Sequence, residues 1–70
     1  MLDKEKLAER LRMERARKRV TQKQVADATG TTDVAICRYE AGTRVPTINK
    51  LMALAEYYDV SLEYLTGQGE

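Results

Sequence analysis

Between residues 21 and 42, helix start and stop signals follow one another so closely that only two short helices fit between them. Thr21 offers an N-cap oxygen and Gln24 follows three residues later, which makes a capping box that starts a helix at Gln22. Gly30 is placed to end this helix, because glycine adopts positive φ without a Cβ clash. The sequence therefore predicts a helix of about two turns with a sharp turn behind it.

A second short helix follows this turn directly. Thr32 can serve as its N-cap, and the helix runs from Asp33 to about Ala41 and stops at Gly42. The two helices are thus joined by a turn of three or four residues. Neither helix can be stable by itself in water, because isolated helices shorter than about 12 to 15 residues are marginal.

Three further helices are predicted from apolar residues that recur at three- and four-residue intervals. The first covers residues 4–18, and the other two cover about residues 48–58 and 62–65. Asp59 marks the break between the last two helices, and Ser61 can cap the final one. The sequence shows no strand pattern and no internal repeat.

Helices this short must share one core, so we expect an all-α fold of five short helices in a single domain, residues 1–70. A chain of this size leaves little room for a deep catalytic cleft. The predicted core takes apolar residues from all five helices, namely Leu7, Leu11, Val25, Ala26, Ile36, Tyr39, Leu51, Leu54, Ala55, Tyr58, Leu62 and Leu65.

The composition excludes several classes of protein. Cys37 is the single cysteine and there is no histidine, so neither an internal disulfide nor a common zinc site nor a histidine-based triad can form. No apolar run approaches the ~18 residues that span a bilayer, and the N-terminal MLDKEKLAER carries acids where a signal peptide needs a basic patch. We therefore expect a cytoplasmic protein that is not an enzyme and takes no metal, cofactor or small-molecule ligand.

Charge is distributed unevenly along the chain. Residues 1–50 hold twelve Lys and Arg against seven Asp and Glu, whereas residues 51–70 hold none against four. The asymmetry indicates a polyanionic partner for one side of the molecule. A solvated basic helix with ordinary charge pairs explains the clustering equally well.

The turn between the two short helices has the residues that a close helix crossing requires. Ala26 is small, Gly30 admits positive φ and Ile36 is a branched apolar residue, at spacings of four and six. This pattern resembles the Cro and phage-repressor type of helix-turn-helix DNA-binding proteins, also called XRE-like. The resemblance also rests on the stretches LAERLRMER, TQKQVADATGTTDVAICRYEAGTRVPTI and LMALAEYYDVSLEYL. The resemblance covers residues 7–65 and places the helix-turn-helix motif at 22–41.

Two positions depart from the family pattern. Many relatives have glycine near the end of the first helix, where this chain has Arg19, and an apolar residue near the end of the second, where it has Thr29. The first departure affects the conformation of the turn after the first helix, and the second slightly reduces the apolar packing of the core.

The resemblance implies that the second helix of the motif lies in the major groove of DNA and reads bases with its outward side chains. Arg38 can donate two hydrogen bonds to guanine, Asp33 can accept one from the amino group of cytosine, and Val34 can contact a thymine methyl. Asp33 fits the positive end of the helix dipole equally well, Val34 can be ordinary exposed surface, and Cys37 can be an inert filler. The expected base-reading residues are Thr32, Asp33, Val34, Cys37 and Arg38.

The resemblance also implies contacts to the phosphate backbone, which predict a binding constant that falls steeply with salt. Gln22 begins the first motif helix, where relatives commonly place a polar residue against DNA, although it can also be an ordinary helix-start residue. Thr43 and Arg44 resemble the family's phosphate-contacting loop. The expected phosphate-contacting residues are Gln22, Lys23, Arg19, Thr43 and Arg44.

Two charged residues are expected to point inward. Arg15 lies four residues after Leu11, and Glu40 lies four residues after Ile36, each on the apolar side of its helix. Because an isolated buried charge is costly, we expect Arg15 and Glu40 to form a buried salt bridge, as family members often do at these positions. The alternative is two solvated surface charges.

The expected function is that of a transcriptional regulator, a repressor, which binds double-stranded DNA sequence-specifically as a homodimer on a palindromic operator. The acidic C-terminal part, with Tyr57, Tyr64 and the tail near Gln68, is the expected dimer surface, although both tyrosines can instead complete the core. The alternative function is that of an antitoxin or adaptor which uses the same fold to hold a partner protein.

Overall fold

The computed structural model describes residues 2–68, which form five α-helices and no strand. The helices are α1 (Lys4–Lys18), α2 (Gln22–Thr29), α3 (Asp33–Ala41), α4 (Ile48–Tyr58) and α5 (Leu62–Leu65). These bounds confirm the all-α fold and the five helices predicted from the sequence. Met1 and residues 69–70, which the single-domain prediction includes, lie outside the described residues. None of the helices within 2–68 combines the length and the apolar character that crossing a membrane requires.

Each helix begins at a side chain that accepts a hydrogen bond from a backbone N–H of its first turn. In α2 the predicted capping box is complete, because the Gln24 N–H donates to Thr21 Oγ1 at 3.1 Å and the Thr21 N–H donates to Gln24 Oε1 at 2.8 Å. These bonds satisfy N–H groups that a helix start otherwise leaves without partners. In chain order, the N-cap residues are Asp3, Thr21, Thr32, Thr47 and Ser61.

Two residues in the left-handed conformation set the turns on either side of α2. Gly30 ends α2 with φ 69° and ψ 35°, and its carbonyl oxygen accepts a hydrogen bond from Lys50 Nζ of α4. Arg19 ends α1 with φ 60° and ψ 46°, so it adopts a conformation that glycine favours. The departure from the family pattern at Arg19 therefore preserves the turn and adds the strain of a Cβ in the left-handed region.

The core lies where α3 packs against α1 and α2, and where α4 packs against α1, α2 and α5. All the predicted core residues are buried except Leu62, for which the prediction is wrong. Leu62 is half-buried and packs against the core from its edge, because it begins a helix of only one turn. The structure adds Ala8 and Ala35 to the buried residues.

Thr29 is buried at the end of α2, where relatives often have an apolar residue. Its hydroxyl donates a hydrogen bond to the Val25 carbonyl oxygen at 2.7 Å. The bond gives the buried hydroxyl a partner, so the threonine does not leave an unpaired polar group in the core.

Candidate nucleic-acid interface

Helix α3 has one buried face and one exposed face. Ala35, Ile36, Tyr39 and Glu40 are buried and fix the helix against α1 and α2. The other side of α3 has no packing partner within residues 2–68. The exposed side chains on this side and at the N-cap are Ala41 and the five expected base-reading residues, Thr32, Asp33, Val34, Cys37 and Arg38.

The N-terminal end of α3 combines a cap with an acidic residue. Thr32 Oγ1 accepts a hydrogen bond from the Ala35 N–H at 3.1 Å, and its own hydroxyl hydrogen stays available to a ligand. Asp33 is exposed in the first turn, where its carboxylate is favourable for the helix dipole. This placement is compatible with both interpretations of Asp33, as a helix-stabilising acid and as an acceptor facing DNA.

The C-terminal end of α3 leads into two of the expected phosphate contacts. Thr43 donates to the Arg38 carbonyl oxygen from its N–H at 3.1 Å and from its hydroxyl at 3.3 Å. The Arg44 guanidinium carbon lies 5.9 Å from the centroid of the Tyr39 ring, which places the cation over the aromatic face. Both residues are exposed, so the loop holds a hydroxyl and a cation beside the end of α3.

The N-terminal end of α2 lies close to the C-terminal end of α3. Gln22 Nε2 donates a hydrogen bond to Glu40 Oε1 at 3.1 Å. Lys23 follows Gln22 and forms a loose, exposed ion pair with Asp27, with 3.6 Å between Nζ and Oδ1. Because Arg19 precedes α2 by three residues, the expected phosphate contacts collect around these two helix ends.

Arg15 and Glu40 form an ion pair between α1 and α3. The distance between Arg15 Nε and Glu40 Oε2 is 2.8 Å, and the exposed fractions of the two side chains are 28% and 5%. The hydrogen bond to Glu40 raises the pKa of the Arg15 guanidinium, although burial acts in the opposite direction. The structure therefore contains the expected pair, with the carboxylate buried and the guanidinium partly open to solvent.

Sequence reasoning missed further contacts of this pair. Arg12 donates from Nη1 to the Glu40 main-chain carbonyl oxygen, and Arg15 Nη1 donates to the Val20 carbonyl oxygen at 3.1 Å. Periodicity could not have found either contact, because each joins a side chain to a backbone oxygen. Together they attach α1 to α3 and to the loop before α2.

A second buried carboxylate, Glu14, was also missed. It accepts hydrogen bonds from Arg17 Nε at 2.8 Å and from the Tyr64 hydroxyl at 3.0 Å, and so joins α1 to α5. A signal was present in the sequence, because Glu14 follows Leu7 by seven residues on the apolar stripe of α1.

Comparisons with known proteins agree with this architecture. The helix-turn-helix family model matches residues 11–65. Among solved structures, the P22 c2 repressor in complex with a synthetic operator is similar with a TM-score of 0.86 and 27% identity, over 90% of this chain and 96% of that one.

Two relatives show the same relationship in sequence. The uncharacterized HTH-type transcriptional regulator YobD of Bacillus subtilis is 37% identical over 59 residues, which cover 84% of this chain and 53% of the relative. The cryptic phage CTXphi transcriptional repressor RstR of Vibrio cholerae is 33% identical over 63 residues, which cover 90% of this chain and 56% of the relative. This chain thus spans about half the length of these relatives. The family match and both relatives confirm the resemblance found in the sequence, and the chain belongs to the XRE-like helix-turn-helix family of Cro and phage-repressor proteins.

Proposed function

We propose that this chain is the DNA-binding part of a transcriptional regulator, a repressor, and that α3 enters the major groove of its operator. The observation that carries the proposal is the two-sided character of α3, whose inner face is fixed in the core while its outer face is exposed and polar at both ends. Similarity to a repressor bound to its operator supports it. The DNA-binding unit covers residues 7–65, acts without catalysis and works in the cytoplasm.

The base-reading residues have distinct roles in this proposal. Arg38 donates two hydrogen bonds to a guanine, Asp33 accepts from a cytosine amino group and Val34 contacts a thymine methyl. Thr32 and Cys37 complete the surface that faces the bases. The phosphate contacts come from the helix ends around this surface, namely Gln22, Lys23, Arg19, Thr43 and Arg44.

We also propose that two copies bind a palindromic operator, with half-sites about one helical turn (~34 Å) apart. A groove of about 590 Å³ between α1 and the α4–α5 end supports this, because Tyr57 and Tyr64 line it together with Lys18 and Asp59. A surface that presents both charges beside aromatic rings can pair with a rotated copy of itself. Sedimentation equilibrium should show a dimer. Reversing the charge of Lys18 alone or of Asp59 alone should weaken the dimer, and mixing the two variants should restore it.

Selection of bound sequences from a random duplex pool at two salt concentrations tests the function. We expect a palindromic consensus and an affinity whose log–log slope against salt is about −0.9 for each phosphate neutralised. Failure to enrich any sequence, together with an affinity independent of salt, would contradict the proposal.

A second candidate is a protein-binding antitoxin or adaptor, and one observation favours it. Val34 is 55% exposed in the outer face of α3, where a large apolar side chain is suited to an apolar contact with a protein partner. Duplex binding that depends strongly on salt would exclude this as the main role.

A further inference from the structure

The helices of the motif are connected at both of their ends. At one end α2 and α3 are joined by the turn at Gly30, and at the other end Gln22 is hydrogen-bonded to Glu40. Gln22 is the first residue of α2, and Glu40 is the last but one of α3. The covalent turn and this side-chain hydrogen bond therefore restrain the angle between the helices at opposite ends, in addition to the apolar packing between them.

The Glu40 carboxylate is held from the inside of the molecule. Its Oε2 accepts from Arg15 Nε at 2.8 Å, and only 5% of its side chain is exposed. Arg12 also donates to the main-chain carbonyl oxygen of Glu40. With these donors on α1, Glu40 Oε1 points at Gln22 in a fixed direction.

This acceptor determines how the Gln22 amide is oriented. A glutamine amide has two N–H donors and one carbonyl oxygen, and the opposite orientation would set that oxygen against a carboxylate. The Gln22 nitrogen therefore faces Glu40 and uses one N–H there. The second N–H stays available at the start of α2, where a phosphate is favoured by the helix dipole.

We propose that Glu40 is a positioning residue for DNA recognition that acts through Gln22, so that the phosphate contact of α2 and the orientation of α3 depend on each other. The inference rests on the proposed function. A phosphate bound at Gln22 holds the amide against Glu40, and this bond in turn holds α3 at the angle at which it reads bases.

This coupling differs from a simple phosphate contact in what it does to specificity. A side chain that only binds phosphate contributes equally on all sequences. A side chain that also restrains α3 contributes more on the operator than on other DNA, because only the operator requires an exact placement of the base-reading residues. The ratio of the two affinities is therefore the informative quantity.

The test compares Gln22→Met with Gln22→Lys on the selected operator and on a scrambled duplex. Methionine preserves the length of the side chain and removes both N–H donors, so operator affinity should fall by about tenfold and scrambled-duplex affinity by less than about threefold. Lysine can donate to both Glu40 and a phosphate, so it should keep the ratio near that of the wild type. Glu9→Gln, an exposed charge change on α1 outside both proposed surfaces, is the matched control and should leave the ratio unchanged.

Equal losses on both duplexes in Gln22→Met would overturn the coupling, and so would no loss on either. A wild-type protein that binds neither duplex would instead overturn the proposed function. An NMR measurement on the free protein tests the restraint by Glu40 without DNA, and so separates failure of the coupling from failure of the proposed function. In NMR spectra of the free protein, the Gln22 side-chain amide should exchange with water more slowly than that of exposed Gln24, and an amide that exchanges equally fast would contradict the restraint by Glu40.

Discussion

At the scale of single residues, two buried carboxylates supply links between helices that apolar packing leaves unspecified. Glu40 joins α3 to α1 and α2, and Glu14 joins α1 to α5. Each accepts hydrogen bonds from more than one donor, as a buried charge requires. Both carboxylates bind through long side chains, and their hydrogen bonds help to set the position of α3 and α5 relative to α1.

Replacing Arg15 with methionine should lower the free energy of unfolding by about 3 kcal/mol, the lower end of the range for breaking a buried ion pair. The low end applies because Glu40 keeps its hydrogen bond from Gln22. Urea denaturation measures the change. As a control, Lys23→Met breaks an exposed pair and should change stability by less than about 0.5 kcal/mol. A loss below about 1 kcal/mol in Arg15→Met would mean that water stabilises the charge of the Glu40 carboxylate about as well as Arg15 does.

Replacing Arg38 with alanine should relax the base preference at one operator position by about 1–3 kcal/mol, because a bidentate contact to guanine is lost. Competition binding with operators altered at each position measures the effect. In contrast, Arg44→Ala should weaken binding uniformly and reduce the salt slope by about 0.9. If Arg38→Ala weakens binding equally at every sequence, Arg38 is not a base-reading residue.

At the scale of helices, much of the architecture could be predicted because start and stop signals are local. Thr21, Gln24 and Gly30 act on backbone groups within a few residues of themselves, and α2 has the bounds that they indicate. The contacts of Glu14 with Tyr64 and of Arg12 with the Glu40 backbone could not be placed in this way, because each joins α1 to another helix. Burial at α5 was also misjudged for Leu62, since Leu62 begins this one-turn helix at the edge of the core, whereas Leu65 at its other end is enclosed.

The end of α1 should be stabilised by replacing Arg19 with glycine. Arg19 has φ 60°, where a Cβ is strained, so we expect a gain of about 0.5–1 kcal/mol in the free energy of unfolding. Thermal and urea denaturation both measure it. The inverse control is Gly30→Ala, at φ 69°, which should destabilise by a similar amount. A destabilised Arg19→Gly protein would show that side-chain contacts of Arg19 outweigh the backbone strain.

At the scale of the whole molecule, the contacts divide into two groups on α1. Arg12 and Arg15 connect α1 to the motif, whereas Glu14 and Arg17 connect it to α4 and α5. Helix α1 therefore lies between the proposed DNA-binding surface and the proposed dimer groove. The same helix thus contributes side-chain contacts to both regions, so loss of α1 packing should impair both.

Alkaline pH should destabilise the whole fold through the buried Tyr58 and the partly buried Tyr64. Burial raises the pKa of Tyr58, and burial together with the hydrogen bond to Glu14 raises that of Tyr64. A tyrosine is neutral when protonated, so a raised pKa in the folded state means that the unfolded chain releases its proton first as pH increases. Stability is therefore fully present below the unfolded pKa of about 10 and is lost above it, at most by about 1.4 kcal/mol per pH unit from Tyr58.

Urea denaturation at intervals between pH 8 and pH 11 measures this loss. The free energy of unfolding should be nearly constant up to about pH 9.5 and should fall above about pH 10. Tyr58→Phe should make the alkaline decline shallower, because the phenylalanine ring fills the same site without a proton to release. Tyr64→Phe should also make it shallower, but it loses the hydrogen bond to Glu14 and so starts from a lower stability at pH 8. A stability that stays constant or rises from pH 9 to pH 11 would mean that neither phenol is more easily ionised in the unfolded chain.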